Sequence, residues 1–201
     1  QNNVSLLQSN GSYFEGSGEN KDDPYLIKNA KDLEQLATLV NSEDEATREA
    51  YNGKYYKLTQ DIQLANEEWT PIGMYIDNDS RPFKGHFDGG GHSITGLAIN
   101  RSSTDNLGLF GYVFGGTIEN VHVEVDITGG SHAGGVAGYV EGKSTVQNCI
   151  SSGSIEGNKE VGGVAGGVSG ETTVQNCYST ASVTGTAKVG GVVGHLDDGG
   201  T

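Results

Sequence analysis

Cysteine and proline are scarce in this chain of 201 residues, which contains 2 Cys and 3 Pro. Two cysteines are too few to cross-link a small disulfide-rich scaffold, so the fold must depend on a packed core. The chain is long enough for one sizeable domain, and its length does not require a second. A disulfide-framework protein is therefore excluded.

Basic residues are also few, since 12 Lys and Arg stand against 26 Asp and Glu and give a formal net charge of −14. A uniformly acidic chain without a basic patch repels a phosphate backbone, which argues against nucleic-acid binding. No apolar run approaches the roughly 20 residues that a membrane-spanning helix needs. We expect a soluble protein whose start at Gln1, without methionine, fits removal of an export signal.

Glycine is abundant instead, with 33 residues, and in the second half it recurs on a schedule. Four lines begin GLFGYVF, GVAGYVE, GVAGGVS and GVVGHLD, at Gly108, Gly135, Gly163 and Gly191. The second and third lines both contain the pentapeptide TVQNC, at positions 145–149 and 173–177. A fixed period of about 28 residues is the signature of a repeat architecture.

The content of each line decides which repeat architecture is predicted. Each line holds three short β-prone stretches separated by Gly, Ser, Glu and Lys, without helical periodicity. Leucine-rich repeats are excluded because they need several leucines per line, and propeller blades are excluded because they need about 40 residues. We therefore predict an all-β fold, a parallel β-helix or similar solenoid in which equivalent positions of successive lines stack as ladders about 4.8 Å apart.

The first half is less regular and contains one predicted helix. The stretch AKDLEQLATLVN, residues 30–41, has Leu33, Leu36, Ala37 and Val40 at helical spacing. We expect this helix to cap one end of the solenoid, where an open core and unpaired strands would otherwise meet solvent. The predicted single domain, 1–201, thus comprises N-terminal strands and loop (1–29), a capping helix (30–42), irregular coils (51–107) and regular repeats (108–201).

Several stretches resemble GLUG-motif repeats, which are named for a Gly-Leu-Xaa-Gly core. They are DNLGLFGYVFGGTIENV, AGGVAGY, VGGVAGGVSGETTVQNCYSTASVTG and VGGVVGHL, and the upstream run from about Gly16 is similar to the segment that commonly precedes such repeats. The resemblance implies an exported or cell-surface bacterial protein with a right-handed β-helical region. Such regions occur in large adhesins, in surface proteins of gut Bacteroidetes and beside the peptidase domain of IgA-cleaving metallopeptidases. The resemblance implies no catalytic residue.

Two ladders of identical residues are predicted in the repeats. Asn120, Asn148 and Asn176 are expected to close a tight turn and to hydrogen-bond along the solenoid axis. Cys149 and Cys177 align with Val121 of the preceding line, which favours a buried thiol ladder. Their spacing also leaves a disulfide open, whereas no His or third Cys shares the column to support a metal site. Thr117, Thr145 and Thr173 form a further column, expected to face outward.

The candidate ligand-binding residues are aromatic. Tyr112 and Tyr139 occupy equivalent positions, so they either offer a shallow platform for a sugar ring or pack beneath a neighbouring loop. Trp69 and Tyr75, beside the acidic loop YIDNDSRPF, form a second candidate surface. That loop lacks the glycine and distal glutamate of a Ca²⁺ loop, so no metal and no cofactor is predicted.

An enzyme is the weaker alternative. Glu124 and Asp126 lie two residues apart on one predicted strand and could act as a carboxylate pair, yet no Lys or Arg lies near them in sequence to neutralise an acidic sugar. We predict a non-catalytic, secreted or surface-exposed adhesin-like module that binds a glycan or an extracellular protein. The alternatives are a substrate-recognition region of a larger surface protease or glycan-degrading enzyme, and a β-helix polysaccharide lyase or hydrolase.

Overall fold

The structure is a computed structural model that describes residues 11–65 and 67–201. Residues 1–10, the start of the predicted N-terminal segment 1–29, lie outside the described residues. In the first half the elements are β1 (Tyr25–Ile27), α1 (Ala30–Val40), α2 (Glu45–Tyr51), β2 (Tyr55–Leu58), β3 (Ile62–Gln63), β4 (Met74–Ile76), β5 (Asp79–Arg81), β6 (His86–Asp88) and β7 (Ser93–Asn100).

All regular elements in the second half are strands. They are β8 (Phe110–Phe114), β9 (Thr117–Glu119), β10 (His122–Thr128), β11 (Ala133–Gly134), β12 (Ala137–Glu141), β13 (Thr145–Gln147), β14 (Ile150–Glu156), β15 (Lys159–Gly162), β16 (Ala165–Val168), β17 (Thr173–Gln175), β18 (Tyr178–Ser179), β19 (Ser182–Thr184), β20 (Ala187–Gly190) and β21 (Val193–Leu196). The predicted all-β class is confirmed.

Four sheets consist of parallel pairs only, and each sheet takes strands from successive passes of the chain. The first sheet has the order β1-β2-β6-β9-β13-β17, and the second has β18-β14-β10-β7-β3 with β19 also on β14. The third sheet is β21-β16-β12-β8 and the fourth is β11-β15-β20. The hairpin β4-β5 is antiparallel and stands apart from them.

The repeat extends into the half of the chain that looks irregular in sequence. In the first sheet Tyr25 pairs with Tyr56, Tyr56 with Phe87 and Phe87 with Ile118, at equal intervals along the chain. Ile118, Val146 and Val174 continue the same column at a slightly shorter interval. All these side chains except Val174 are buried. The longer interval and the changing residue type conceal these repeats in 51–107.

The predicted helix is present as α1, and a second helix was not foreseen. Asn29 caps α1 by accepting a hydrogen bond from the backbone of Asp32, and the helix buries Leu33, Leu36, Ala37, Leu39 and Val40. Helix α2 begins after the cap Asp44 and has no buried residue. Without an apolar stripe it leaves no periodic signal in the sequence.

Close backbone packing explains the glycines of the repeated motif. A Cβ atom at Gly138 would lie 2.5 Å from the backbone carbon of Asn106, and one at Gly166 would lie 2.6 Å from the backbone of Glu160 and of His132. These glycines lie on the third sheet where the chain entering the fourth sheet crosses it. Only a residue without Cβ allows that approach.

Left-handed backbone recurs at equivalent positions of successive repeats. Asn120, Asn148 and Asn176 have φ of 56°, 54° and 53°. His132, Glu160 and Lys188, which also recur once per repeat, have φ of 55°, 57° and 54°. Asparagine tolerates this region better than most residues, whereas Glu160 and Lys188 in the second column have no such preference to reveal the conformation in the sequence.

Candidate functional site

Four rings from separate parts of the chain form a continuous row along the third sheet, which we call the aromatic row. Tyr75, on the β4-β5 hairpin, contacts Tyr112 edge-on with ring centroids 5.7 Å apart. Tyr112 lies opposite Tyr139 in the β8-β12 pair, and their rings stack at 6.1 Å and 17°. Tyr139 in turn contacts the ring of His132 at 4.9 Å. The structure therefore brings three of the four predicted aromatic residues together.

The row ends where the column changes to glycine. A Cβ atom at Gly167, the partner of Tyr139 on β16, would lie 2.7 Å from Cδ2 of Tyr139 and 2.9 Å from Cδ2 of His132. The two rings thus occupy the space above Gly167, and His195 follows on β21 as the next partner in the column.

Hydrogen bonds hold the tyrosine hydroxyls in place. Tyr112 Oη donates to the carboxylate of Glu141, and Tyr139 Oη shares a 2.9 Å hydrogen bond with Ser169 Oγ. Ser169 Oγ also donates to Glu141 Oε2 at 3.4 Å. Burial and the Glu141 carboxylate raise the pKa of Tyr112. The phenol therefore stays neutral and acts as a hydrogen-bond donor.

A charged cluster adjoins the row. Glu160 accepts a hydrogen bond from Lys188 Nζ at 2.8 Å and pairs with His132 Nε2 at 2.7 Å. Burial opposes ionisation of Glu160, but the hydrogen bond from Lys188 and the charges of His132, Lys188 and His195 hold the pKa of its carboxyl below its usual value. The sequence offered only one signal for this cluster, the recurrence of the three positions once per repeat.

Two of the predicted ligand-binding residues do not expose a ring face. Trp69 is 4% exposed and donates its indole Nε1 proton to the carbonyl of Leu109 at 3.1 Å, so it is a core residue and its prediction as a surface residue is wrong. Tyr112 is 7% exposed because Tyr75 covers it, which corresponds to the alternative of packing beneath a loop. Tyr75, at 45% exposure, and the half-buried Tyr139 remain accessible.

The two predicted ladders lie away from the aromatic row. Asn148 Nδ2 donates to Asn120 Oδ1 at 3.1 Å, and Asn120 Nδ2 donates to Asp88 Oδ1 at 3.0 Å, so the amides bond along the stack. Cys149 is buried, Cys177 is half-buried, and both are free thiols. Each thiol donates to the carbonyl two residues earlier at 3.2 Å.

The weaker candidate, the carboxylate pair, is exposed. Glu124 and Asp126 lie on one face of β10, and Asp126 accepts a hydrogen bond from Ser154 Oγ at 2.9 Å. The open cleft around them is lined otherwise by Gly, Leu, Ala, Val and Ser, without a cation. Within residues 11–65 and 67–201, no group of three or more His, Cys, Asp or Glu is arranged to hold a metal ion. No helix in this part of the chain is long and apolar enough to span a membrane.

Two known proteins are related to this chain in sequence. Halomucin of Haloquadratum walsbyi is 33% identical over 151 residues, which cover 70% of this chain and 2% of halomucin. A protein of Evansella cellulosilytica, provisionally named a Gly-rich membrane protein, is 35% identical over 115 residues, which cover 54% of this chain and 12% of that protein. The chain thus spans a small part of each relative.

A solved structure shares the fold. The crystal structure of a provisionally named immunoglobulin A1 protease from Bacteroides ovatus matches 94% of this chain and 66% of its own, with a TM-score of 0.59 and 23% sequence identity. At that identity the likeness concerns the fold alone. The profile of the family described as the GLUG motif matches residues 129–156 and 157–184, and that motif is a repeat module rather than a known catalytic domain. Residues 129–184 therefore contain two GLUG-motif repeats, as the sequence resemblance predicts.

Proposed function

We propose that this chain is a right-handed parallel β-helix, secreted by or displayed on a bacterial cell, that binds an extracellular protein or glycan and catalyses no reaction. The aromatic row is the observation that carries the binding function. Residues from the hairpin and from two successive repeats converge there, and tyrosine gives large contact area at low cost in side-chain entropy.

Three features support the β-helical scaffold. Every inter-repeat pair in the four large sheets is parallel, partners lie one repeat apart along the chain, and the apolar columns face a shared core. Helix α1 buries its apolar face in that core, as expected of a cap. A right-handed turn is the usual hand of parallel crossover connections.

The surroundings of the row suit recognition better than catalysis. The Glu141 carboxylate accepts hydrogen bonds from Tyr112 and Ser169, and the Glu160 carboxylate contacts Lys188 and His132. Their side chains are thus held in fixed positions, which lowers the entropy lost when a partner binds. Tyr75 and Ile76, 45% and 43% exposed, extend the apolar surface onto the hairpin.

A glycan array and a pull-down from host extracellular proteins test the proposal. We expect a saturable ligand whose binding weakens about tenfold in Tyr75→Ala and in Tyr139→Ala. Tyr178→Ala is the matched control, because Tyr178 is 55% exposed on the second sheet. If both screens are blank at high protein concentration, or if all three variants bind equally, the aromatic row is not a binding site and a spacer role replaces it.

The solved relative favours a second candidate, a substrate-recognition region of a larger surface protease. That structure is provisionally named an immunoglobulin A1 protease, and it contains residues beyond those that this chain matches. Immunoglobulin A1 is therefore one of the proteins in the pull-down. Capture that Tyr139→Ala abolishes would favour this candidate over binding to a glycan.

A further inference from the structure

A second cleft lies on the first sheet, which contains none of the residues of the aromatic row. Its volume is about 300 Å³, and its walls include Lys21, Asp22, Tyr55, Lys57, His86 and Asp88. It opens beside β2 and β6, near the N-terminal end of that sheet. Tyr56, between Tyr55 and Lys57 on β2, turns its ring into the core, where its hydroxyl group donates to the carbonyl of Tyr51.

One wall of the cleft is a stack of two rings. Tyr55 pairs with His86 in the β2-β6 ladder, and their rings stack with centroids 5.1 Å apart at 24°. Pro24, one position before Tyr25 and thus beside Tyr55 in the register, also lines the cleft. Beyond His86 the same column continues with Thr117 and then the other two predicted threonines. The rings are therefore confined to the cleft end of this column.

The adjacent column supplies polar groups whose orientation is fixed. Asp88 Oδ1 accepts from the backbone of Gly90 at 2.8 Å and from Asn120 Nδ2 at 3.0 Å. Its Oδ2 lies 3.8 Å from Lys57 Nζ, too far for a full hydrogen bond, so both groups keep capacity for a ligand. Glu119 is held by His86 Nε2 and by Gln147 Nε2, each at 2.6 Å.

The charges select against an anionic ligand. Lys21 and Lys57 face Asp22, Asp88 and Glu119 in the cleft, within a chain of net charge −14. A phosphate, sulfate or uronate would meet these carboxylates without a surplus of cations to offset them. A ring wall beside a carboxylate and an amine instead complements a pyranose, which has an apolar C–H face and a rim of hydroxyl groups.

We infer that this cleft binds a sugar residue of a neutral hexose glycan. The sugar ring lies against Tyr55 and His86, one hydroxyl donates to Asp88, and another accepts from Lys57. The inference goes beyond the proposed function, since it names a separate site and a ligand class that do not depend on the aromatic row.

Titration of the full ¹⁵N-labelled chain with a β-1,4-linked glucose hexamer and a mannose hexamer tests the inference. We expect saturable shifts of the amides of Tyr55, Lys57 and His86 with at least one of these oligosaccharides. Affinity should fall about tenfold in Tyr55→Ala and stay within about threefold in Tyr55→Phe, because the ring supplies the contact. Thermal unfolding of each variant separates loss of binding from loss of fold.

Three outcomes would overturn the inference. They are an absence of saturable shifts at millimolar oligosaccharide, equal affinity of Tyr55→Ala and the unaltered chain, and tighter binding of polygalacturonate than of both neutral hexamers. Tyr139→Ala distinguishes this site from the proposed function. If that variant alone abolishes the shifts, the sugar binds at the aromatic row and the first-sheet site fails while the proposed function stands.

Discussion

The ring of Tyr139 occupies the space that a side chain on Gly167 would need. The two residues pair across β12 and β16, and a Cβ atom at Gly167 would lie 2.7 Å from Tyr139 Cδ2. The position of the aromatic row therefore depends on a glycine at the equivalent position of the next repeat.

Replacement of this glycine tests that dependence. Gly167→Ala should displace the rings of Tyr139 and His132 and lower the free energy of unfolding by about 1 kcal/mol, because side chains move more easily than backbone. NMR shifts of the His132 ring protons report the displacement, because the His132 ring lies 4.9 Å from the aromatic ring of Tyr139. Unchanged His132 shifts in a folded variant would contradict the arrangement.

Gly166 should be far less tolerant, although it is the adjacent residue. A Cβ atom there would meet the backbone of Glu160 and His132 at 2.6 Å, and this contact cannot be relieved by a change of rotamer. We expect Gly166→Ala to cost about 3 kcal/mol in urea unfolding. Gly191→Ala is the control, since among the described residues no atom beyond its two chain neighbours lies within 4 Å of its added Cβ, and it should cost less than about 0.5 kcal/mol. Equal costs would show that these glycines are not required by packing.

Substitutions of Asn148 test the left-handed backbone conformation at the asparagine positions. Its φ is 54°, so Asn148→Ala should be less stable than Asn148→Gly by about 1 kcal/mol, because glycine adopts this conformation without strain. Asn158 provides a control at which φ is not in the left-handed region. There the order should reverse, with alanine more stable than glycine. Urea unfolding of the four variants gives both comparisons, and the same order at both positions would contradict the backbone assignment.

The two thiols should differ in reactivity. Contact with the Cys149 thiol lowers the pKa of Cys177 to about 7, whereas the same contact and burial raise the pKa of Cys149. Because the thiolate is the nucleophile, alkylation of Cys177 by iodoacetamide should rise with pH to a midpoint near 7, and Cys149 should react only after unfolding.

Substitution of Cys149 tests whether its thiol is what lowers the pKa of Cys177. Cys149→Val should fold, because Val121 fills the equivalent buried position in the preceding repeat. It removes the hydrogen-bonding partner, so the alkylation midpoint of Cys177 should move up towards about 8.5, the value of a free cysteine. An unchanged midpoint would mean that Cys149 does not control the pKa of Cys177.

Part of the aromatic row could be predicted from the sequence, and part could not. The repeat period placed Tyr112 beside Tyr139, because equivalent residues of stacked parallel strands must be neighbours. It could not place Tyr75 on Tyr112, since the β4-β5 hairpin lies outside the repeat and its position depends on packing. Trp69 was misassigned because an aromatic residue beside polar ones looks the same in sequence whether its ring is buried or exposed.

The sequence by itself determined the repeat, its β-strand content and its ladders, because glycine spacing and alternating apolar residues act locally and recur. The sequence predicted coils in 51–107, but only the tertiary structure decided their register and slightly longer interval, since there the columns change from Tyr56 to Phe87 to Ile118 and keep only their burial. It also decided that His132, Glu160 and Lys188 form one cluster. Contacts of that kind depend on how the backbone directs each side chain, and no local pattern in the chain encodes them.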